Sequence, residues 1–270
     1  MSNILIVESN TPELLLACKK ANRPSAAEIY QQALKACDNS ISCDIYTPYS
    51  SDFRLNKINW QAYQGIVFTG SGVSWCVDAP EAQILRQTME AALSAEKPIL
   101  GSCNGLQLGN LILGGSCGAA PKGMEIGLAV DLCMTPEGLA HAFHRGRAAR
   151  FSALCVHRDH VTKIPAGAII TVGNAHSPVQ GMVYERGNTR FWGVQYHPEM
   201  SLQNIIDTVS NPDSLFTDSH SLLVNLRAAH ENPTGTGAFQ LGANGDDLKP
   251  EVHRTELANW LLSLNDEIVH

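Results

Sequence analysis

Three short, unbroken apolar runs, Asn3–Val7 (NILIV), Gly65–Thr69 (GIVFT) and Pro98–Leu100 (PIL), recur along the first hundred residues with helix-like stretches between them. A strand with one face in water alternates apolar and polar residues, whereas a strand covered on both faces reads as a continuous apolar run. Cys43–Tyr46 is a further strand of this series. Between the strands, Ser25-Ala-Ala-Glu28 has the spacing of a capping box and opens a helix with Ile29, Ala33, Leu34 and Cys37 on one stripe. Pro80-Glu81 starts a second helix running through Leu93, and a third spans 104–113 and stops at Gly114-Gly115. Strands alternating with helices require right-handed crossovers. The expected fold is therefore α/β, in three layers, with a mostly parallel central sheet and helices on both faces.

After residue 125 the pattern changes. IGLAVDLCM, SALCVH, AIITVG, GMVYE and FWGVQY are strand-like with short connections, which predicts a small antiparallel extension of the sheet. The stretch 231–250 (ENPTGTGAFQLGANGDDLKP) is rich in Gly, Pro and Asn and reads as a long loop able to cover a pocket. Val252 to Leu264 follows as a last helix, with Leu257, Trp260, Leu261 and Leu264 on one stripe. We expect residues 1–230 to form the catalytic domain, and the glycine-rich loop and C-terminal helix of 231–270 to pack on it.

Composition narrows the function. At 44% hydrophobic and 17% charged, 270 residues suffice for one large core, which excludes a disordered or coiled-coil chain. The net charge of −7 and the lack of any Lys/Arg run argue against a nucleic-acid partner. MSNILIVESN has neither the basic start of a signal peptide nor the length of a membrane span. The expectation is a soluble cytoplasmic protein, a monomer or homodimer, with no membrane partner. The eight cysteines form no C-x-x-C pair and mostly sit in apolar runs, as small buried hydrophobes do.

Cys103 differs from the rest. In Pro98-Ile-Leu-Gly-Ser-Cys103-Asn-Gly-Leu-Gln107 a strand ends at a glycine-flanked cysteine and a helix begins behind it. Such an elbow lifts its central side chain clear of the sheet, and glycines on either side remove Cβ atoms that would collide. The thiol would face a helix N-terminus, which favours thiolate, and the free amide of Asn104 would face a developing oxyanion. A second segment, Phe191-Trp-Gly-Val-Gln-Tyr-His197-Pro-Glu199, ends a strand with a histidine and then a carboxylate. A thiol nucleophile needs a base, and the base needs an acceptor to fix its tautomer. On an extended strand alternate residues point the same way, which would set Glu199 beside His197.

These segments resemble a known family. GSCNGLQ matches the G-x-C-x-G-x-Q pattern of class I glutamine amidotransferases and GVQYHPE their G-x-Q-x-H-P-E, in the same order and roughly ninety residues apart. The resemblance covers about residues 1 to 205 and is strongest to the glutaminase domain of GMP synthetase and its stand-alone relatives. It implies Cys103 as nucleophile, His197 as general base and acid, Glu199 as orienting acid, a γ-glutamyl thioester intermediate, and no metal or organic cofactor. It also implies that backbone amides of Gly70 and Ser71, in Phe68-Thr-Gly-Ser-Gly-Val-Ser-Trp75, complete an oxyanion hole with Asn104. The relatives have S-G-G-P there, so this loop departs from the pattern. Gln107 resembles a substrate-lining glutamine, Trp75 is placed to face substrate, and Val156-His157-Arg-Asp159 resembles the S-H-G-D segment of GMP synthetase-type glutaminases.

Two histidine pairs, His141-x-x-His144 and His157-x-x-His160, have metal-compatible spacing but no third ligand nearby in sequence. Gly114-Gly115 lacks the Lys-Ser/Thr of a phosphate loop. With no nucleotide-binding loop in the chain, the expected activity is hydrolysis of a small γ-glutamyl amide by a free-standing enzyme, releasing glutamate and an amine or ammonia. The alternative is the glutaminase subunit of a two-component amidotransferase. A synthetase or ligase acting in the same pathway is the partner to expect.

Overall fold

The computed structural model describes residues 2–50, 55–211, 214–215 and 220–265. Its parallel half contains β1 (Asn3–Val7), β2 (Ser42–Tyr46), β3 (Gly65–Phe68) and β4 (Ile99–Ser102), interleaved with α1 (Pro12–Lys20), α2 (Ala26–Cys37), α3 (Gln83–Ser94) and α4 (Asn104–Ile112). Then come β5 (Ser116–Ala119), β6 (Glu125–Met134), α5 (Pro136–Ala140), β7 (Arg150–His157), β8 (Asp159–Lys163), β9 (Ile169–Gly173), β10 (Gly181–Arg186) and β11 (Thr189–Val194). The chain closes with α6 (Leu202–Val209), α7 (His220–Glu231), α8 (Thr236–Gln240), α9 (Pro250–His253) and α10 (Thr255–Ser263).

Nine strands form one sheet in the order β2-β1-β3-β4-β11-β10-β9-β6-β7, and β5 pairs with β8 in a small separate ribbon. The pairs from β2 to β11 are parallel, and those from β11 to β7 antiparallel. The apolar runs explain the difference. Every residue of β3 and β4 is buried, whereas β2, at the edge, is mostly exposed. Two large clusters flank the sheet, one around Tyr30, Phe151 and Trp260, the other around Phe68, Met89 and Phe191. Burying each such side chain contributes about 1.5–3 kcal/mol. The three-layer, mostly parallel architecture and its antiparallel extension are those expected.

Several local expectations need correction. Residues 231–250 are not a long open loop: α8 lies within them, Ala238 and Leu248 are buried in a third cluster, and Asp247 accepts from the backbone and hydroxyl of Ser152 at 2.7 and 2.8 Å. The helix expected from Val252 to Leu264 is broken at Arg254 into α9 and α10, although Leu257, Trp260 and Leu261 do form its buried stripe. The helix expected from Pro80 begins as a 3-10 turn. The helix α1 carries its signals in the sequence: Thr11 caps it, Pro12 opens it, Glu13 sits in its first turn and Lys19 and Lys20 in its last. Likewise Ser201 and Asn204 form a capping box for α6. No described helix is long and apolar enough to cross a membrane.

Candidate active site

Register places the central residues. β4 and β11 are parallel neighbours with Gly101 opposite Gly193 and Ser102 opposite Val194, so both chains leave the sheet at the same edge. Open α/β sheets gather their functional groups at this carboxyl edge. One residue past β4, Cys103 donates its amide to Val194 O at 2.8 Å and takes φ 51°, ψ −108° before α4 begins. A positive φ is costly for a side-chain-bearing residue, and strain of this kind gathers at functional turns. The flanking glycines make the turn passable. A Cβ on Gly101 would lie 2.5 Å from the Gly105 backbone, and one on Gly105 would lie 2.2 Å from Phe68 O.

His197 stands beyond β11, with its amide bound to Leu154 O at 2.8 Å. Its Nδ1 meets Glu199 Oε1 at 2.7 Å, and the pair is almost wholly buried. The expected contact exists, but for a different reason. β11 ends at Val194, so the turn through Pro198, not strand alternation, brings Glu199 round. The Cys103 thiol is a hydrogen-bond partner of the imidazole, and Sγ and Nε2 converge on Val156 O at 3.6 and 3.4 Å. Burial disfavours charge on His197. The Glu199 carboxylate and the hydrogen bonds to Cys103 and Glu199 outweigh it and hold the imidazole pKa well above its usual value.

Two supporting groups were missed in the sequence. Ser102 donates its hydroxyl to Glu199 Oε1 at 3.0 Å, and its position next to Cys103 was the available signal. His253, on α9, donates Nε2–H to the backbone oxygen of His197 at 2.8 Å. No local pattern marks His253, because its partner lies 56 residues away. Beneath it, Glu256 on α10 takes a bidentate contact from Arg147 (3.1 and 2.7 Å) and a third from His144, all buried.

Gly70 and Ser71 do reach the site. A Cβ on Gly70 would lie 2.7 Å from His197 Cε1 and 3.6 Å from Cys103 Cβ. Glycine is what lets this loop pass so close to the imidazole. The loop is held by Asn10, whose side-chain oxygen accepts from the Gly72 amide (2.9 Å) and the Ser71 hydroxyl (3.1 Å). Among the described residues no acceptor takes the amides of Gly70, Ser71 or Asn104.

Two hollows meet at this point. A small one of about 30 Å³ is lined by Cys103, Asn104, Gln107, Trp75, Arg158 and Asp159, with His157 at its edge. A larger cleft of about 180 Å³ runs from Gly70, His197 and Glu199 outward between α1 and α6. Ser71 and Leu215 line both. Residues 231–250 line neither, which removes the pocket-covering role expected of them.

Gln107, Trp75, His157 and Asp159 thus cluster beside Cys103, but most of their polar atoms are engaged. Gln107 gives its amide hydrogens to Asp159 O and Gln195 Oε1 (2.7 and 3.1 Å), leaving its own carbonyl oxygen for the hollow. Both oxygens of the Asp159 carboxylate take Arg158, at 2.9 and 2.6 Å. His157 pairs with Glu125 at 2.8 Å, and His176 lies close enough that the three could share a cation. His157 therefore has neighbours from distant segments that its spacing to His160 did not suggest. Glu125 accepts from Asn174 and Gln180 as well as meeting His157. Burial raises the Glu125 pKa, but these donors and His157 together bring it below its usual value.

Comparison with known proteins places the chain in a family. The family model described as "Glutamine amidotransferase class-I" matches residues 28–208. The chain is 30% identical over 202 residues to a gamma-glutamyl-L-1-hydroxyisopropylamide hydrolase of Pseudomonas sp, covering 73% of this chain and 68% of that one. It is 28% identical to the GMP synthase [glutamine-hydrolyzing] of Alcanivorax borkumensis over 72% of its own length, but spans only 38% of that protein. A solved glutamine amidotransferase from Methylobacillus flagellatus superposes with TM-score 0.66 at 18% identity, covering 100% of this chain and 98% of that one. Another, from Thermotoga maritima, does so with TM-score 0.62 at 17% identity, covering 98% and 99%. The chain belongs to the class-I glutamine amidotransferase family.

Proposed function

We propose that the chain is a cysteine-dependent hydrolase of γ-glutamyl amides that works without a synthetase. Cys103 passes its proton to His197 and attacks the γ-carbonyl carbon as the thiolate, and the amides of Asn104, Gly70 and Ser71 receive the oxyanion. Each such donor contributes about 10²–10³ in rate where it has been removed from other enzymes. His197, held by Glu199, gives its proton to the departing nitrogen, leaving a γ-glutamyl thioester on Cys103. Water then attacks the thioester, His197 takes its proton, and glutamate leaves with the thiol restored. One amide and one water become glutamate and an amine. A histidine whose pKa is held high suits the transfer to the departing nitrogen, because it carries the proton to be donated.

The observation that carries the reading is the open cleft on the His197 side of Cys103. Ammonia needs no such space, whereas a substituted amine does. The Pseudomonas relative is itself named as a hydrolase of a substituted γ-glutamyl amide. Residues 1–230 make up the catalytic domain in this reading, and 231–270 pack against it as a buttress. The enzyme is cytoplasmic and uses no cofactor. The GMP synthase relatives support a second reading, a glutaminase subunit. Purified chain, without nucleotide or partner, is to be assayed on glutamine and on N-alkyl γ-glutamyl amides. Turnover of a substituted amide supports the hydrolase. Silence toward all substrates until an ATP-dependent synthetase is added supports the subunit.

A further inference from the structure

The loop that follows β3 is fixed one peptide at a time. β3 ends at Phe68, and Thr69 leads into the turn with its side chain wholly buried. Thr69 Oγ1 accepts the Ser9 amide at 2.9 Å. It lies 2.9 Å from Gly70 O and 3.5 Å from Glu8 Oε1, so its single proton goes to the nearer carbonyl. A trans peptide points its C=O and its N–H in opposite directions. With Gly70 O drawn to Thr69, the Ser71 N–H of the same peptide is turned the other way, and among the described residues no acceptor takes it.

The next peptide is pinned from its other end. Gly72 donates its N–H to Asn10 Oδ1 at 2.9 Å, which directs Ser71 O away from Asn10. The Ser71 hydroxyl lies 3.0 Å from Ser9 O and 3.1 Å from Asn10 Oδ1. Gly72 stands where the S-G-G-P of the relatives has its proline. Proline fixes its own φ and carries no N–H, whereas glycine loses the most freedom on being ordered. Here the glycine N–H gives Asn10 its hold, and a hydrogen bond does the work of a ring. Asn10 is itself fixed. Glu8, almost wholly buried, accepts the Asn10 amide (3.0 Å) and Nδ2–H (2.9 Å) on Oε1, and the Ala27 amide at the start of α2 (2.8 Å) on Oε2. One carboxylate thus ties the exit of β1 to α2 and, through Asn10, to the loop beside His197.

We propose that Thr69 and Asn10, with Glu8 behind them, are positioning residues of the reaction: they lock the two peptides that meet at Ser71 and so present the Gly70 and Ser71 amides to the oxyanion. The proposal rests on the hydrolase reading and deepens it, since a hole assembled by the chain's own side chains waits for no partner. Thr69 lines neither hollow, so it acts only through the loop. Donors already in place cost no reorganisation when charge develops on the substrate oxygen, and a donor left free to turn loses that advantage.

The test takes the whole purified chain, without nucleotide or partner, as wild type, Thr69→Val, Thr69→Ser and Asn10→Ala. Thr69→Val removes the hydroxyl and should lower kcat for glutamine by about 10²-fold, the low end of losing an oxyanion donor, with KM little changed. Asn10→Ala should lower kcat by about 10-fold, the scale of one hydrogen bond. Thr69→Ser keeps the hydroxyl and should recover most of the loss. The rate at which iodoacetamide alkylates Cys103, followed by peptide mass spectrometry, should match the wild type in every variant, because displacement at a saturated carbon builds no oxyanion. Wild-type kcat in both Thr69→Val and Asn10→Ala would overturn the proposal and leave the hydrolase reading standing. So would a fall in kcat matched by an equal fall in alkylation, which would place the effect on the Cys103–His197 pair. If Thr69→Val fails to fold, Asn10→Ala decides alone, since Asn10 is only half-buried. If the wild type turns over neither glutamine nor any γ-glutamyl amide, the hydrolase reading falls and takes this proposal with it.

Discussion

The two sides of the Cys103–His197 pair are built on different principles. The inner hollow is small and polar, and its side chains are locked to one another: Gln107 to Asp159 and Gln195, Asp159 to Arg158, His157 to Glu125. The outer cleft is several times larger and is lined by side chains of α1, α2 and α6, among them Leu14, Ala17, Ile29 and Thr208. A preorganised polar pocket suits one invariant group, and a roomier, more apolar cleft suits a class of groups. On the proposed function, acyl recognition falls to the sheet edge and amine recognition to the helices that line the outer cleft.

That contrast can be broken from either side. The largest effect belongs to the point where the hollows meet. Cys103→Ala should lower kcat by about 10⁴-fold or more on every substrate, since residues acting as a unit fail together. Circular dichroism should show the fold unchanged, because alanine keeps the Cβ that the backbone already tolerates at this positive φ and only the sulfur is lost. Next come two glycines that carry the same substitution with different consequences. Gly105→Ala drives a Cβ into Phe68 O and should destabilise the elbow by about 3 kcal/mol or more, read as a large fall in Tm. Gly70→Ala presses on the His197 ring and otherwise makes only ordinary contact with Cys103 Cβ, so Tm should hold while kcat falls by about 10²-fold. Equal losses of Tm in both would place Gly70 in the packing and not in the active site.

Smaller effects test the buttress behind His197. His253→Leu removes the hydrogen bond to His197 O and should lower kcat by about 10-fold with KM for glutamine little changed, whereas His253→Gln should recover much of it. Burial, with Arg147 beside it, pushes the His253 pKa down to about 4 from 6.5. The unfolded chain therefore binds a proton that the folded chain refuses, and stability falls as pH drops from 6.5 toward 4. Glu256 acts in the same direction at lower pH. Burial opposes its charge, but Arg147 and His144 hold its pKa well below the carboxylate range, so its contribution is present above its unfolded value of 4.5 and is lost in acid. Tm measured against pH should slope in this window, and His253→Gln should flatten the upper part of the slope.

Legibility in the sequence followed the same division. Groups placed by local rules could be read: the buried strands from their apolar runs, the elbow from Gly101 and Gly105, and His197 and Glu199 from their proximity to a strand end. The segment 231–250 misled because glycine and proline mark turns as readily between short helices as in an open loop. The cleft could not be read at all. α1 and α6 lie far apart in sequence, and only the sheet topology brings Leu14, Arg23 and Met200 to the same side of His197. The buttress is of the same kind, since His253 and Glu256 meet partners 56 and 109 residues away.

The central chemical event is the passage of a γ-glutamyl group onto one particular sulfur. Burial pushes up the thiols of Cys18, Cys37, Cys43 and Cys155, and those of Cys76 and Cys117 to about 11 and about 12. Wild-type chain mixed with an N-alkyl γ-glutamyl amide, quenched in acid during turnover and mapped by peptide mass spectrometry should carry the γ-glutamyl thioester on Cys103 and on no other cysteine. The adduct should be absent from Cys103→Ala and appear without any nucleotide or synthetase present. Amide hydrolysis that proceeds with the adduct on a different cysteine, or that persists in Cys103→Ala, would contradict the account.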